Sequence, residues 1–180
     1  MIVFTGDLTQ RSAPQEYRQA QEWLVRLSEA AGGVSCILIP GNHDIDRSLA
    51  DTKILRSAYH DEAAYKRWHG DIFRAHAHVQ PFLSWFSDAK IEYPFLLNNW
   101  GGNPAIDVVD EVLGGINCHF ICVNSAMMSC DDEDSGKLCI DLRGLNSALS
   151  KRASDKNLVV LLSHHPIGDL APWNGAEVKM

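Results

Sequence analysis

The sequence lacks an apolar run long enough to span a bilayer, and no signal peptide opens it. Its five cysteines include no CxxC pair, and their odd number would leave one unpaired if the others formed disulfides. These absences predict a cytoplasmic protein that keeps its thiols reduced and has no membrane partner.

Basic residues are also scarce, since 16 Lys plus Arg stand against 23 Asp plus Glu and give a net charge of −7. Nucleic acid is therefore disfavoured as a partner, because a phosphate backbone attracts clustered Lys and Arg. A small phosphate-ester substrate is compatible with this charge, because bound divalent metals reverse the local sign inside a pocket. The composition leaves the oligomeric state open.

The 180 residues, 46% of them hydrophobic and 22% charged, predict a single globular domain over 1–180. Strand and helix patterns alternate, which indicates an α/β fold. A helix over Pro14 to Ala31, capped by Ser12, joins two short apolar strands, so these strands are predicted to be parallel. Further along, the pattern predicts a β-hairpin over Val108 to Val123 and a helix from Asp141 to Arg152.

Both ends of the sequence are apolar and predict buried strands. Met1 to Thr5 forms the first, and Leu158 to Ser163 forms the last, followed by a loop to Met180. An α/β domain seldom begins or ends on such a strand, because neighbouring strands and helices normally cover it. We therefore expect the domain to be partial.

Polar residues of metal-binding type follow three of the predicted strands. They are Gly6-Asp7, Gly41-Asn42-His43-Asp44 and His164-His165. Ligands of open α/β sheets bind beyond the carboxyl ends of the strands, so these segments are expected to converge. Asp, Asn and His together suit a divalent ion such as Mn²⁺, Fe²⁺ or Zn²⁺.

Each of these motifs has an ordinary structural explanation when it stands alone. A Gly-Asp after a strand is most often a turn, and adjacent histidines in a loop are commonly just exposed. The tetrapeptide Gly41-Asn42-His43-Asp44 is more specific, because at about 5% usage per residue it arises by chance in roughly one chain of this length in a thousand. The three motifs in this order therefore favour a metal site.

The same motifs resemble those of the calcineurin-like metallophosphoesterases, which run DxH, GD, GNH[DE], H and GHxH. Gly6-Asp7 matches the second motif, Gly41-Asn42-His43-Asp44 the third and His164 the fourth. Within the family, Gly6-Asp7-Leu8-Thr9-Gln10 and the strand before Pro40 are most similar to the cyclic-nucleotide phosphodiesterase-like branch. The sequence contains neither a DxH before Asp7 nor a GHxH after His165.

The resemblance implies an αββα sandwich that hydrolyses phosphomonoesters or phosphodiesters with two divalent ions. It implies that Asp7 bridges both ions and that Asn42 and His164 bind one of them. His43 would face the oxygen of the leaving group. These residue types suit the reaction, because the metals neutralise phosphate and activate water while a histidine protonates the departing alkoxide.

Two neighbours of these residues have supporting roles under the same resemblance. His165 is expected to support the ligands or contact substrate rather than bind metal. Asp44 either orients His43 or caps its own loop, and the sequence does not distinguish these two roles.

The distance between the third and fourth motifs exceeds that of the smallest family members. We interpret part of the stretch from about Ser48 to Trp100 as a helical insertion or lid. Its pattern from about Asp61 to Lys90 is mostly helical, with a break expected at Pro81.

The absence of DxH and GHxH leads to two further expectations. As an enzyme, this chain alone is expected to be weakly active or inactive. The alternative is a truncated or degenerate, non-catalytic phosphoesterase-like interaction module. A DxH and a GHxH in the flanking sequence would favour the enzyme, and their absence would favour the module.

Overall fold

The computed structural model describes residues 1–69, 76–100 and 102–178, which form a mixed α/β fold with two sheets. The strands are β1 (Ile2–Phe4), β2 (Cys36–Leu38), β3 (Ile106–Leu113), β4 (Ile116–Val123) and β5 (Asn157–Ser163). The helices are α1 (Pro14–Ala30), α2 (Thr52–Ala58), α3 (Glu62–His69), α4 (Gln80–Glu92), α5 (Leu142–Arg152) and α6 (Pro172–Val178). Within the described ranges no helix is long and apolar enough to cross a bilayer.

The two sheets are built from the units that the sequence predicts. In the smaller sheet β1 and β2 are parallel, with Val3 opposite Ile37, and α1 connects them. In the larger sheet β3 and β4 form an antiparallel hairpin, and β4 pairs in parallel with β5, with Phe120 opposite Val160. The predicted βαβ unit and hairpin are confirmed.

Two hydrophobic cores lie on opposite faces of the larger sheet. Alternate residues of β4 point to opposite faces, as the twofold period of a strand requires. Phe120 and Cys122 pack in a core shared with the smaller sheet, α1 and α4, whereas Ile121 and Val123 pack in a core shared with α5. The layers are therefore helix, sheet, sheet and helix, which is the expected sandwich.

The outer strands are less buried than the sequence predicts. All three residues of β1 are partly exposed, and β5 leaves Leu158 50% exposed and Leu161 39% exposed. Each of these strands has only one neighbour in its sheet within the described residues, so one of its edges is open. The carboxyl-terminal segment is not only a loop, because it contains α6.

Helix boundaries differ from the predictions at two positions. Ser12 does not cap α1; it has a φ of 58° and its hydroxyl lies 2.7 Å from the Tyr17 hydroxyl. Instead the Glu16 carboxylate accepts from the main-chain NH of Ala13 at 3.0 Å. Pro81 lies in the first turn of α4 rather than at a break, a position where its missing NH costs no helical hydrogen bond.

The segment proposed as a helical insertion contains α2, α3 and α4, and its residues 70–75 lie outside the described residues. Its second half packs into the core beside β2. The Cys36 NH donates to the Phe95 carbonyl at 2.8 Å, and the Leu97 NH donates to the Cys36 carbonyl at 2.9 Å. The boundaries of an insertion stay a prediction.

Candidate metal centre

Three side chains from the ends of different strands converge at one point. Nε2 of His164, just after β5, lies 3.1 Å from Oδ1 of Asn42 and 3.5 Å from Oδ1 of Asp7. Asp7 follows β1 and Asn42 follows β2. Ligand atoms about 2.1 Å from one ion lie about 3 to 3.5 Å from each other, so these separations suit a shared cation.

The other nitrogen of the His164 ring fixes which atom faces this point. Nδ1 lies 2.6 Å from the Thr5 carbonyl oxygen, which can only accept, so Nδ1 carries a hydrogen. In the neutral ring Nε2 then carries a lone pair, which faces Oδ1 of Asn42 and Oδ1 of Asp7. A main-chain carbonyl that orients an imidazole in this way is a common feature of metal sites. The donor set therefore fits a divalent metal.

Two glycines allow the three loops to approach so closely. A Cβ on Gly6 would collide with the His164 ring and the Gly41 backbone, and a Cβ on Gly41 would collide with the Asp7 carboxylate. Gly6 also has a φ of 106°, which only glycine adopts readily. Asp7 itself has a φ of 59°, a left-handed conformation that Asp tolerates better than most residues.

Asp44 is fully buried, and its carboxylate joins the loops that follow β1 and β2. Oδ1 accepts from the Thr9 NH at 2.7 Å and Oδ2 accepts from the Gly41 NH at 2.9 Å. Burial raises the pKa of Asp44 above its ordinary value, and the two NH groups oppose that rise. These contacts cap the loop, and through Thr9 they also bear on the position of His43, so both roles left open by the sequence stay predictions.

His43 lies beside this point rather than in it. Its main-chain NH donates to Oδ1 of Asp7 at 3.3 Å, and its carbonyl accepts from the Thr9 hydroxyl at 2.8 Å. The ring nitrogen Nδ1 lies 2.8 Å from the Gln10 carbonyl oxygen and so carries a hydrogen. Its Nε2 is then the nitrogen that can exchange a proton with a ligand.

His165 packs behind His164 and is held by Ser125, the first residue of the short 3₁₀ helix after β4. Its Nδ1 lies 3.0 Å from the Ser125 hydroxyl, which also accepts from its main-chain NH at 3.0 Å. The two histidine rings meet edge to face at 4.6 Å between centroids. Burial lowers the pKa of His165 to about 4, so this ring is neutral at pH 7.

Sequence reasoning did not identify Thr5, Gln10 or Ser125 as parts of the site. Thr5 and Gln10 contribute only main-chain carbonyls, which no side-chain pattern reveals. Ser125 could have been suspected, because it follows the carboxyl end of a strand that is parallel to β5.

A donor set for a divalent metal at the strand ends of an α/β sandwich suits a metal-dependent hydrolase. Comparison with family models agrees, because the model of the calcineurin-like phosphoesterase family matches residues 1–179. The chain belongs to the calcineurin-like phosphoesterase family. No curated protein and no solved structure matches the chain in the corresponding comparisons.

Proposed function

We propose that this chain forms the site of a hydrolase that cleaves small phosphomonoesters or phosphodiesters with two divalent ions. The observation that supports the proposal best is the meeting of three acceptor atoms, from Asp7, Asn42 and His164. When Nε2 of His164 is unprotonated, such a group would be unfavourable without a cation, because lone pairs at hydrogen-bond distance repel one another. Family membership supports the same class of reaction.

Asn42 and His164 would hold one ion, and Asp7 would bridge it to a second. In the described part of the chain no third His, Cys, Asp or Glu ligand atom groups with those of Asp7 and His164. Mn²⁺, Fe²⁺ and Zn²⁺ all suit the donors. When bound, such ions neutralise the phosphate charge and lower the pKa of water.

His43 is the residue of this chain with a proposed proton-transfer role. The Gln10 carbonyl fixes the ring by accepting from Nδ1, so when the ring is protonated it is the Nε2–H that can donate to the oxygen of the leaving group. The loop contacts through Thr9 and Asp7 keep the ring beside the metal ligands. The proton therefore reaches the oxygen as its bond to phosphorus breaks.

Hydrolysis of bis(4-nitrophenyl) phosphate and 4-nitrophenyl phosphate with excess Mn²⁺ tests this function. We expect weak turnover by the chain that requires the metal and is abolished by Asp7→Asn. Asp88→Asn is the matched control, because Asp88 is an exposed carboxylate on α4. If the chain and its Asp7→Asn variant release nitrophenol equally slowly at every Mn²⁺ concentration, the non-catalytic interaction module becomes the better account.

A further inference from the structure

The hydroxyl of Tyr17 reaches from α1 to the backbone of the loop that carries Asn42 and His43. It donates to the main-chain carbonyl of Asp44 at 2.5 Å, and the Ser12 hydroxyl lies 2.7 Å away. Tyr17 is 3% exposed, so this contact is shielded from water. The outer helix α1 is thereby joined to the residue next to His43.

The ring of Tyr17 is itself held in place from the other side. It stacks on Trp85 of α4, with 4.9 Å between centroids and an interplanar angle of 18°. Burial raises the pKa of Tyr17, so the hydroxyl stays protonated and acts as a donor. The position of the Asp44 carbonyl is therefore set by α1 and α4 together.

The position of Asp44 in turn determines the position of the His43 backbone and ring. The Asp44 carboxylate binds the NH groups of Thr9 and Gly41, and the Thr9 hydroxyl donates to the His43 carbonyl. The loop of Thr9 also supplies the Gln10 carbonyl that holds the His43 ring. A shift of Asp44 would thus move both contacts that fix His43.

We propose that Tyr17 is a positioning residue that holds His43 in line with the leaving group through the backbone of Asp44. Within the described residues, the hydrogen bonds of the Tyr17 hydroxyl go to Ser12 and Asp44 rather than to the residues assigned to the metal. The kinetic consequence of this proposal rests on the proposed function, whereas its structural consequence does not.

The kinetic test compares Tyr17→Phe with wild type on two phosphate esters. Phenylalanine retains the stacked ring and removes only the hydroxyl. For an ester with a poor leaving group, such as methyl phosphate, we expect kcat to fall about 5- to 50-fold, because the alkoxide needs the His43 proton. For 4-nitrophenyl phosphate, whose leaving group needs no proton, we expect a change of less than about twofold.

Tyr93→Phe is the matched control, because the Tyr93 hydroxyl bonds the exposed Glu92 carboxylate at 2.8 Å. It should change neither rate. In a His43→Ala background, Tyr17→Phe should cause no further loss on methyl phosphate. An equal loss on both esters, or full additivity with His43→Ala, would make Tyr17 merely structural and overturn the proposal.

An activity-independent measurement keeps the two proposals separate. Hydrogen exchange at the Thr9 and Gly41 amides reports directly on their bonds to Asp44. In Tyr17→Phe we expect both amides to exchange at least about fivefold faster, with Tyr93→Phe unchanged. Unchanged exchange would overturn the positioning role even if the chain hydrolyses phosphate esters. Faster exchange in a chain without turnover would leave this role standing and count against the proposed function alone.

Discussion

At the scale of single residues, main-chain groups orient the candidate site as much as side chains do. The carbonyls of Thr5 and Gln10 each accept from Nδ1 of a histidine, His164 and His43 respectively. In each ring the other nitrogen, Nε2, is thereby available for chemistry. The same contact between a carbonyl and Nδ1 therefore orients a metal ligand, His164, and a proposed proton donor, His43.

Replacing His43 tests whether it acts as a proton donor rather than as a metal ligand like His164. In His43→Ala we expect turnover of alkyl phosphates to fall about 10²- to 10⁴-fold, because proton donation to the leaving group is lost. Bound metal should stay nearly unchanged when it is measured by elemental analysis. His60→Ala, at an exposed histidine, is the control. Loss of metal from His43→Ala would identify His43 as a ligand instead.

Replacing Gly41 tests the close approach of the loops. A Cβ at this position would collide with the Asp7 carboxylate and the His164 ring, so Gly41→Ala must displace the donors. We expect Mn²⁺ affinity to fall at least about tenfold, as for other changes that misorient ligands. Gly102→Ala, where a Cβ has open space, should bind Mn²⁺ as wild type does. Equal affinity of the two variants would contradict the geometry described here.

Sequence could predict the converging side chains but not what orients them. Asp7, Asn42 and His164 follow apolar strands in recognisable motifs, and ligand sites of α/β proteins lie beyond the carboxyl ends of strands. Tyr17 and Ser125 reach the site from 27 and 40 residues away respectively. No local pattern encodes such contacts, because they depend on how helices and strands pack after they form.

At the scale of elements, the acidic segment from Asp131 to Asp134 ties a loop to α2. Asp131 and Asp134 both contact the guanidinium of Arg56, and Asp132 lies 2.7 Å from Arg47. Asp134 is only 7% exposed. A run of like charge in the sequence does not by itself reveal basic partners that lie more than seventy residues earlier.

A second ion pair joins the hairpin to α5 and makes stability depend on pH. Asp110 on β3 receives two hydrogen bonds from Arg152, at 2.8 and 2.9 Å, and lies 2.8 Å from Nδ1 of His119. The Arg152 contact, with help from His119, lowers the pKa of Asp110 from 3.8 to about 2. A depressed pKa means that the carboxylate stabilises the fold above the ordinary value and ceases to do so as pH falls.

Asp110→Asn should therefore lower the free energy of unfolding by about 0.5–1 kcal/mol at pH 7, a small value because water and salt screen this half-exposed pair. The difference from wild type should be full above about pH 4 and disappear between pH 4 and pH 2. Urea unfolding across this range measures it, with the exposed Asp155→Asn as control. A difference that grows on acidification would contradict the assignment.

The predictable elements are those whose local patterns agree with their packing. The hairpin of β3 and β4 and the helix α5 are confirmed, and the Asp141 carboxylate caps α5 by accepting from the Gly144 NH at 3.0 Å. Trp23 on α1 is nevertheless 45% exposed, and its ring meets that of Phe4 edge to face. Helical periodicity identifies a face, but it does not say how far the neighbouring sheet extends beneath it.

At the scale of the whole molecule, the candidate site is shared between the two sheets, and neither sheet supplies all three of its ligands. The smaller sheet presents Asp7 and Asn42, and the larger sheet presents His164. The core between the sheets, which includes Ile37 and Phe120, fixes their separation and therefore the distances among the three donors. Metal binding is expected to stabilise the sandwich, because an ion that binds only the folded state adds its binding free energy to that of folding.

Manganese binding to the purified chain, counted by electron paramagnetic resonance of the free ion, tests the central claim most directly. We expect at least one bound Mn²⁺ per chain. Asp7→Asn and His164→Ala should each weaken that binding at least about tenfold, because the first removes the negative charge of a ligand and the second removes the imidazole nitrogen. Asp88→Asn should bind as wild type does. Wild-type affinity in both site variants would contradict the claim that Asp7, Asn42 and His164 form a metal centre.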